Sequence, residues 1–243
     1  MARTVNPAEH AARRDEILDA AHRLILSTGY ERMTVQDILD DRQISKGAFY
    51  HYFDSKPAVI EALTTRLVSE SEGALAPIAQ NPGMGAVQKL RAFFAEITRW
   101  KSERQNLFVT MLPVWYAPGN LAFRLLVERE SAKRLAPLLS TIVREGVDAR
   151  QFVRASPDQA AAIIFAIIQA LQDAMAQRLL DVAHRAPSSA IAKEIVNTQG
   201  EHMKAIERYL GVPTGTLNRV DARSVMSWIT ALHRANAAAN GKG

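Results

Sequence analysis

Apolar residues recur every three or four positions along most of this chain, and the alternation typical of β-strands is absent. This period predicts an all-α protein. Glycine- and proline-containing breaks, such as Asn81–Gly85 and Ala117–Gly119, divide the pattern into separate helices. The predicted helices cover about 8–27, 34–39, 46–52, 56–79, 86–103, 107–116, 120–145, 157–181, 190–210 and 221–237.

The stretch around residues 34–52 has strong local signals. Thr34 and Asp37 have the spacing of a capping box, which predicts the start of a helix about two turns long. Residues 42–44 are predicted to form a tight turn. Ser45 is a good N-cap for the next helix. Two short helices joined by such a turn are typical of a helix-turn-helix unit, whose second helix enters the major groove of DNA.

The second of these helices has two distinct faces. Phe49 is expected to point inward together with Ile44 and Tyr52, because these are its large apolar anchors. The opposite arc then carries Gly47, Tyr50 and His51, flanked by Lys46 and Ala48. Such a surface can approach a polyanion closely, whereas the alternative is an ordinary surface helix with two exposed rings.

The segment S-K-G-A-F-Y-H-Y-F-D-S-K resembles the signature of the TetR family of bacterial transcription regulators. The matching positions are Thr34, Asp37, Ile38, Ser45, Gly47, Tyr50, Tyr52, Phe53, Ser55 and Lys56. The sequence departs from the family pattern at Leu39 and at Arg42-Gln43, where the family has alanine and Ala-Gly. A left-handed Gln43 would be strained by about 1 kcal/mol relative to glycine.

The resemblance covers roughly the first 60 residues. It implies an N-terminal three-helix helix-turn-helix DNA-binding domain, followed by a larger helical ligand-binding and dimerisation domain. We expect these domains to be residues 1–55 and 56–243. The implied partners are a double-stranded, palindromic DNA operator, a second copy of the chain, and a largely apolar small-molecule effector.

The expected DNA-binding residues lie on the helix-turn-helix or beside it. They are Thr34, Arg42, Ser45, Lys46, Gly47, Ala48, Tyr50, His51 and Lys56. We expect Thr34, Tyr50 and Lys56 to contact phosphates and Ala48 to meet a thymine methyl group. Arg42 could add a phosphate or base contact. Arg3 could reach a minor groove, although a disordered leader is the simpler account of this segment.

The charge distribution limits how DNA could be bound. The whole chain has a formal charge of +5, but residues 1–56 contain eight Lys and Arg against nine Asp and Glu. The predicted DNA-binding domain therefore has a net charge of −1. Its affinity must come from local placement of cations rather than from a general basic field.

The second domain is expected to bind the effector among apolar side chains with a few polar groups. The candidates are Phe94, Trp100, Phe108, Met111, Trp115, Phe165, Gln169 and Gln172. Each aromatic residue could equally be core. Asn120 is expected to cap a long helix whose Leu121 and Leu125 point toward the core. Pro137 should kink or split this helix, and Gly146 should end it.

The helices near 157–181 and 190–210 are apolar enough to form a dimer interface, and a monomer core is the alternative. The run Ala160–Leu171 is too short to span a bilayer, and Met1–Glu9 has no signal-peptide core. We therefore expect no membrane association and a cytoplasmic location. The absence of cysteine excludes disulfides and thiolate metal sites.

Known catalytic motifs are missing from the sequence. It has no G-x-S-x-G, Walker loop, Rossmann fingerprint or H-E-x-x-H, and its six histidines, including His184, lack metal-ligand spacing. We therefore predict no catalytic residues, no metal site and no cofactor. The alternatives to a regulator are a helical ligand-binding or scaffolding module without specific DNA binding, and a small helical enzyme.

Overall fold

The computed structural model describes residues 7–153, 156–183, 185–217 and 219–240, and within them every regular element is helical. The all-α prediction is therefore confirmed. The helices are α1 (Pro7–Thr28), α2 (Val35–Arg42), α3 (Lys46–Tyr50), α4 (Lys56–Ala79), α5 (Ala86–Glu103), α6 (Gln105–Trp115), α7 (Leu121–Asp148), α8 (Pro157–Val182), α9 (Ser189–Leu210) and α10 (Ala222–Asn240). A short 3-10 turn at Pro118–Asn120 precedes α7. Arg3 and His184 lie outside the described residues.

The described chain divides into two compact units. The first comprises the residues up to Ser69 together with Val114–Glu130, and the second comprises Glu70–Pro113 and the residues from Ser131 onward. This division differs from a boundary at residue 56. The reason is packing: Val59, Ile60 and Leu63 of α4 are buried in the first core, and so is Phe123 of α7.

The core of the first unit joins α1, α2, α3 and the first half of α4. Its buried side chains include Ile17, Leu18, Ala21, Ile25, Met33, Ile38, Leu39, Phe49, Phe53 and Leu63. The α1 stripe of Ile17, Ala21 and Ile25 is inward, as its helical spacing predicts. Burial of this stripe holds α1 in the core that α2 and α3 also join.

Asn120 is a polar residue inside the first unit rather than a helix cap. It is 2% exposed, and its Oδ1 accepts a hydrogen bond of 2.7 Å from the Tyr30 backbone N–H. Its Nδ2 donates to the backbone carbonyls of Val114 at 2.8 Å and Ile25 at 3.4 Å. One amide side chain therefore satisfies backbone groups from two distant segments.

The predicted orientation of early α7 is wrong. Leu121 and Leu125 are 48% and 52% exposed, whereas Phe123 is fully buried. The first turns of α7 pack in the first unit, and their inward face differs from that of Leu138, Leu139 and Ile142 in the second unit. A single stripe drawn along the whole helix cannot describe both halves.

Neither Pro137 nor Gly146 interrupts α7, which runs to Asp148. Gly146 is buried, and a Cβ atom there would lie 2.1 Å from Cδ2 of Phe152. This glycine is therefore required by the close approach of an aromatic ring, and it does not end the helix.

The core of the second unit is formed by α5, the later part of α7, α8 and α9. Its buried residues include Leu90, Phe93, Phe94, Leu139, Ile142, Ile164, Phe165, Ile168, Met203, Ile206 and Leu210. Lys89 is 2% exposed and donates to the Ala79 carbonyl at 2.9 Å and to Glu145 Oε2 at 2.5 Å. This buried cation is therefore fully paired.

The apolar side chains of α8 and α9 are used differently. On α9, Ile195, Met203 and Ile206 are at most 2% exposed, so its apolar stripe packs inside its own chain. On α8, Ile163 is 41% exposed, and Ala162, Ala166 and Ala170 are also exposed. One side of α8 is thus apolar and uncovered.

By length and composition alone, the whole of α8 is long and apolar enough to cross a membrane. The run Ala160–Leu171 within it, taken by itself, is too short to do so. However, eight of its residues, among them Ile164, Phe165, Ile168 and Leu171, are buried in the unit. A core helix accounts for the same composition.

We expect Asn120→Ala to lower the free energy of unfolding of the first unit by about 1–3 kcal/mol, because the Tyr30 N–H and the Val114 carbonyl lose their partner.

The ring of Trp115 lies 5.6 Å from that of Phe123 in this unit. Its fluorescence during denaturant unfolding, in a Trp100→Phe, Trp228→Phe background, measures the change. The exposed Asn106→Ala on α6 is the control, and equal midpoints for both variants would contradict the prediction.

Candidate nucleic-acid interface

The predicted capping box at the start of α2 is present. The Asp37 N–H donates to Thr34 Oγ1 at 3.1 Å, and the Thr34 N–H donates to Asp37 Oδ2 at 2.7 Å. At the other end, Gln43 is in the left-handed conformation with φ 51°. The chain therefore makes the expected tight turn and carries the strain of a non-glycine residue there.

Two contacts hold α3 in place. Ser45 Oγ accepts a hydrogen bond of 3.2 Å from the Ala48 N–H, which confirms Ser45 as the N-cap. Phe49 is fully buried in the core of the first unit. The helix ends at Tyr50, two residues earlier than predicted, and His51 is its C-cap. With Phe49 fixed inward, the opposite side must face solvent.

That exposed side comprises Ser45, Lys46, Gly47, Ala48, Tyr50 and His51, which we call the α3 surface. Tyr50 is 44% exposed, and Lys46 Nζ lies 6.0 Å from the centre of its ring. The His51 ring lies 5.1 Å from Tyr52 and 5.5 Å from His10 of α1. The structure thus collects six of the nine predicted DNA-binding residues on one face, and Thr34 is also exposed.

Gly47 leaves open space above the α3 surface. A Cβ atom built at this position would meet no other atom of the chain within 4 Å, and its φ is not positive. Neither packing nor backbone conformation within the protein therefore requires glycine here. The position is therefore free to let another molecule approach the helix backbone closely.

Lys56 is placed differently from the prediction. Its Nζ donates to the backbone carbonyls of Tyr30 at 2.8 Å and Met33 at 2.7 Å, and lies 4.5 Å from the Tyr30 ring centre. Burial lowers the pKa of its ammonium, and the nearby carboxylates of Asp37 and Glu31 oppose that shift. Lys56 therefore fastens the α1–α2 connection to α4 instead of facing outward.

Arg42 also has a partner inside the first unit. Its guanidinium forms an ion pair with Glu16 at 2.7 Å, and both side chains are partly exposed. This contact ties the end of α2 to α1. The sequence suggested a DNA contact because Arg42 stands where the family pattern has alanine. It did not indicate the pairing with Glu16, which lies 26 residues earlier.

The predicted effector residues do not form one group. Phe94 and Phe165 are buried in the core of the second unit, and Met111 is partly buried. Trp100 and Phe108 have ring centres 5.4 Å apart, and Phe108 also meets Trp228 at 6.3 Å. Trp115 packs in the first unit, so it is not part of a site in the second.

The two predicted glutamines do come together, and they meet a cation that the sequence analysis missed. Lys101 Nζ donates to Gln172 Oε1 at 2.9 Å, and Gln172 Nε2 donates to Gln169 Oε1 at 2.6 Å. Burial lowers the pKa of the Lys101 ammonium to about 8. The spacing of Phe94, Ile97 and Lys101 on the inward stripe of α5 could have revealed it.

Residues 17–63 match the family model of bacterial regulatory proteins of the tetR family. The chain is 40% identical over 55 residues to the HTH-type transcriptional repressor KstR2 of Mycolicibacterium smegmatis, covering 23% of this chain and 27% of that protein. It is 30% identical over 142 residues to the HTH-type transcriptional regulator TcmR of Streptomyces glaucescens, covering 56% of this chain and 61% of that protein.

The chain thus spans less than two thirds of the length of these relatives. Among solved structures, the complex of SmeT with triclosan has a TM-score of 0.59 at 20% identity, covering 87% of this chain and 97% of that one. This likeness extends the shared fold into the second unit. The matched residues include α2, α3 and the start of α4, so this segment of the chain is similar to the bacterial regulatory proteins of the tetR family.

Proposed function

We propose that this chain is a ligand-responsive transcriptional repressor that binds a palindromic operator as a homodimer. In this proposal a small molecule bound in the second unit releases the protein from DNA. The matched relatives are named as transcriptional regulators and repressors, which favours this function over a helical enzyme. The protein would act in the cytoplasm, where bacterial DNA lies.

The observation that carries the proposal is the α3 surface, a short helix held by a cap and a buried anchor with all its other side chains exposed. The α3 surface has a cap at one end, a buried anchor behind it and an open position at its centre. A helix presented in this way can lie close against a DNA groove, with α2 bracing it on the backbone. Ala48 would meet a thymine methyl group, and Thr34 and Tyr50 would contact phosphates.

The proposed dimer uses the uncovered side of α8. Ala162, Ile163, Ala166 and Ala170 follow one another at helical spacing on that side, where small residues allow a second helix to approach. The outer side of α9 carries Lys193, Glu194 and Asn197 and would supply polar contacts. A two-fold dimer matches a palindrome whose half-sites lie about one helical turn, ~34 Å, apart.

The proposed release requires that the effector favour one of two arrangements of the dimer. The similar protein SmeT was solved with triclosan, which shows that this fold can hold a small molecule. In our proposal the ligand tilts α4, which belongs to the first unit up to Ser69 and to the second from Glu70. A changed half-site spacing then lowers operator affinity.

We expect Gly47→Ala to separate folding from DNA binding. The substitution should stabilise the fold slightly, by up to about 1 kcal/mol, because alanine favours a helix and meets no atom of the chain. It should weaken operator binding by about tenfold or more, because the added methyl group prevents close approach. Gly73→Ala is the matched control, since Gly73 is also helical, exposed and free of contacts within 4 Å.

These effects are measured by thermal unfolding and by titration with a duplex recovered from a random pool at two salt concentrations. Equal affinities for the two glycine variants would show that Gly47 does not face DNA. Failure to recover any duplex above the non-specific background would instead favour the ligand-binding or scaffolding module.

Replacing Lys46 and Tyr50 by alanine should weaken binding to the same duplex while the dimer persists. Lys46→Ala alone should reduce the salt dependence of binding by about one phosphate contact per protomer. Fluorescence titration over a salt series measures this slope. Arg91→Ala removes an exposed cation from α5 and should leave the slope unchanged. A slope that falls equally in both variants would point to general charge instead of a local contact.

Ile163→Glu should convert the dimer to a monomer, because a carboxylate would be buried without a partner in the proposed interface. Sedimentation velocity gives the mass, and far-ultraviolet circular dichroism checks that the helices remain. Leu107→Glu is the control, since Leu107 is also exposed, at 54%, but lies on α6. A dimer that survives Ile163→Glu would exclude this side of α8 as the interface.

A further inference from the structure

The inward stripe of α5 ends in a cation. Leu90, Phe93 and Phe94 are buried in the core of the second unit, and Ile97 packs against it. Lys101 follows one turn later, is partly buried, and reaches Gln172 on α8. On α8, Phe165 and Ile168 are likewise followed by Gln169 and Gln172. One end of an apolar core is therefore closed by one lysine and two glutamines.

This lysine lacks a counterion among the described residues. Its contact is an amide oxygen, whereas Lys89, which is fully buried, is paired with Glu145. The nearby acids of α5, Glu96 and Glu103, are both paired with Arg99. A desolvated cation without an opposite charge is unfavourable, and a methionine of similar length would fill the same space without that cost.

The direction of the hydrogen bonds limits what can join this cluster. Lys101 donates to the oxygen of Gln172, and the nitrogen of Gln172 donates to the oxygen of Gln169. Each amide oxygen already accepts one bond, whereas the Lys101 ammonium and both amide nitrogens have further N–H groups to donate. A group that only accepts hydrogen bonds and carries negative charge fits them best, and a carboxylate does both.

We propose that the effector of the second unit has an apolar body and an acidic group, and that this acid pairs with Lys101 beside Gln169 and Gln172. The inference rests on the proposed function, because it names the class of molecule that would release the operator. The apolar body would lie toward Ile97 and Ile168, which precede the polar cluster on the two helices. An apolar molecule without an acid would leave the cation unpaired.

The test uses octanoate, decanoate and 2-naphthoate, each beside its uncharged primary amide, with the full chain as dimer. Isothermal titration calorimetry gives affinities, and displacement from the selected duplex gives release. We expect wild-type protein to bind at least one acid about tenfold more tightly than its amide. Lys101→Met should abolish that preference, and Lys101→Arg should keep part of it. Arg91→Met, which removes an exposed cation from the same helix, should keep all of it.

A second measurement needs no added molecule. Lys101→Met should raise the melting temperature of the free protein, because a partly buried cation without a counterion is removed. Acids and amides that bind wild-type protein equally, or a panel in which no acid binds, would overturn the proposal. If acids bind through Lys101 but no duplex is recovered, the effector inference stands and the regulator function fails. If neutral molecules release the duplex equally from wild type and Lys101→Met, the regulator function stands and the effector inference fails.

Discussion

The burial of Phe49 is the contact on which the α3 surface depends. A helix of five residues is not stable in isolation, because nucleating a helix costs more than so few hydrogen bonds return. The Ser45 cap and the fully buried Phe49 ring hold it against the core of the first unit. The α3 surface is thus held in position by the cap and by the buried side of the helix. Its residues can be small or polar without loss of structure, and position 47 needs no side chain for packing.

That core is not formed by the N-terminal segment alone. Phe123 and the Asn120 side chain come from residues about 90 positions after α1 and α2. Asn120 satisfies the Tyr30 N–H, while Lys56 binds the carbonyls of Tyr30 and Met33. The connection that orients α2 relative to α1 is therefore fixed by polar groups from two other elements. A family model that matches residues 17–63 covers the surface but only part of what supports it.

Sequence patterns predicted the features determined by neighbouring residues. The Thr34–Asp37 box, the Ser45 cap and the bounds of α5 all follow from local chemistry, and all are present. The contacts that the sequence did not indicate concern polar side chains with several partners in reach. Nothing near Lys56 or Arg42 in the sequence shows that carbonyls and Glu16 would engage them. Leu121 was misplaced for a related reason, since its neighbours depend on which unit the first turns of α7 join.

The same internal pairing bears on how this domain can bind DNA. Arg23, Arg42 and Arg66 each form ion pairs with acids of the first unit, at 2.7, 2.7 and 2.8 Å. Because these charges largely cancel at a distance, the unit presents little long-range attraction to phosphate. Affinity must then depend on contacts that require close approach, and those are lost when the surface is displaced by a few ångströms. In the proposed dimer, such contacts would make binding sensitive to half-site spacing, which is the quantity that we propose the effector changes.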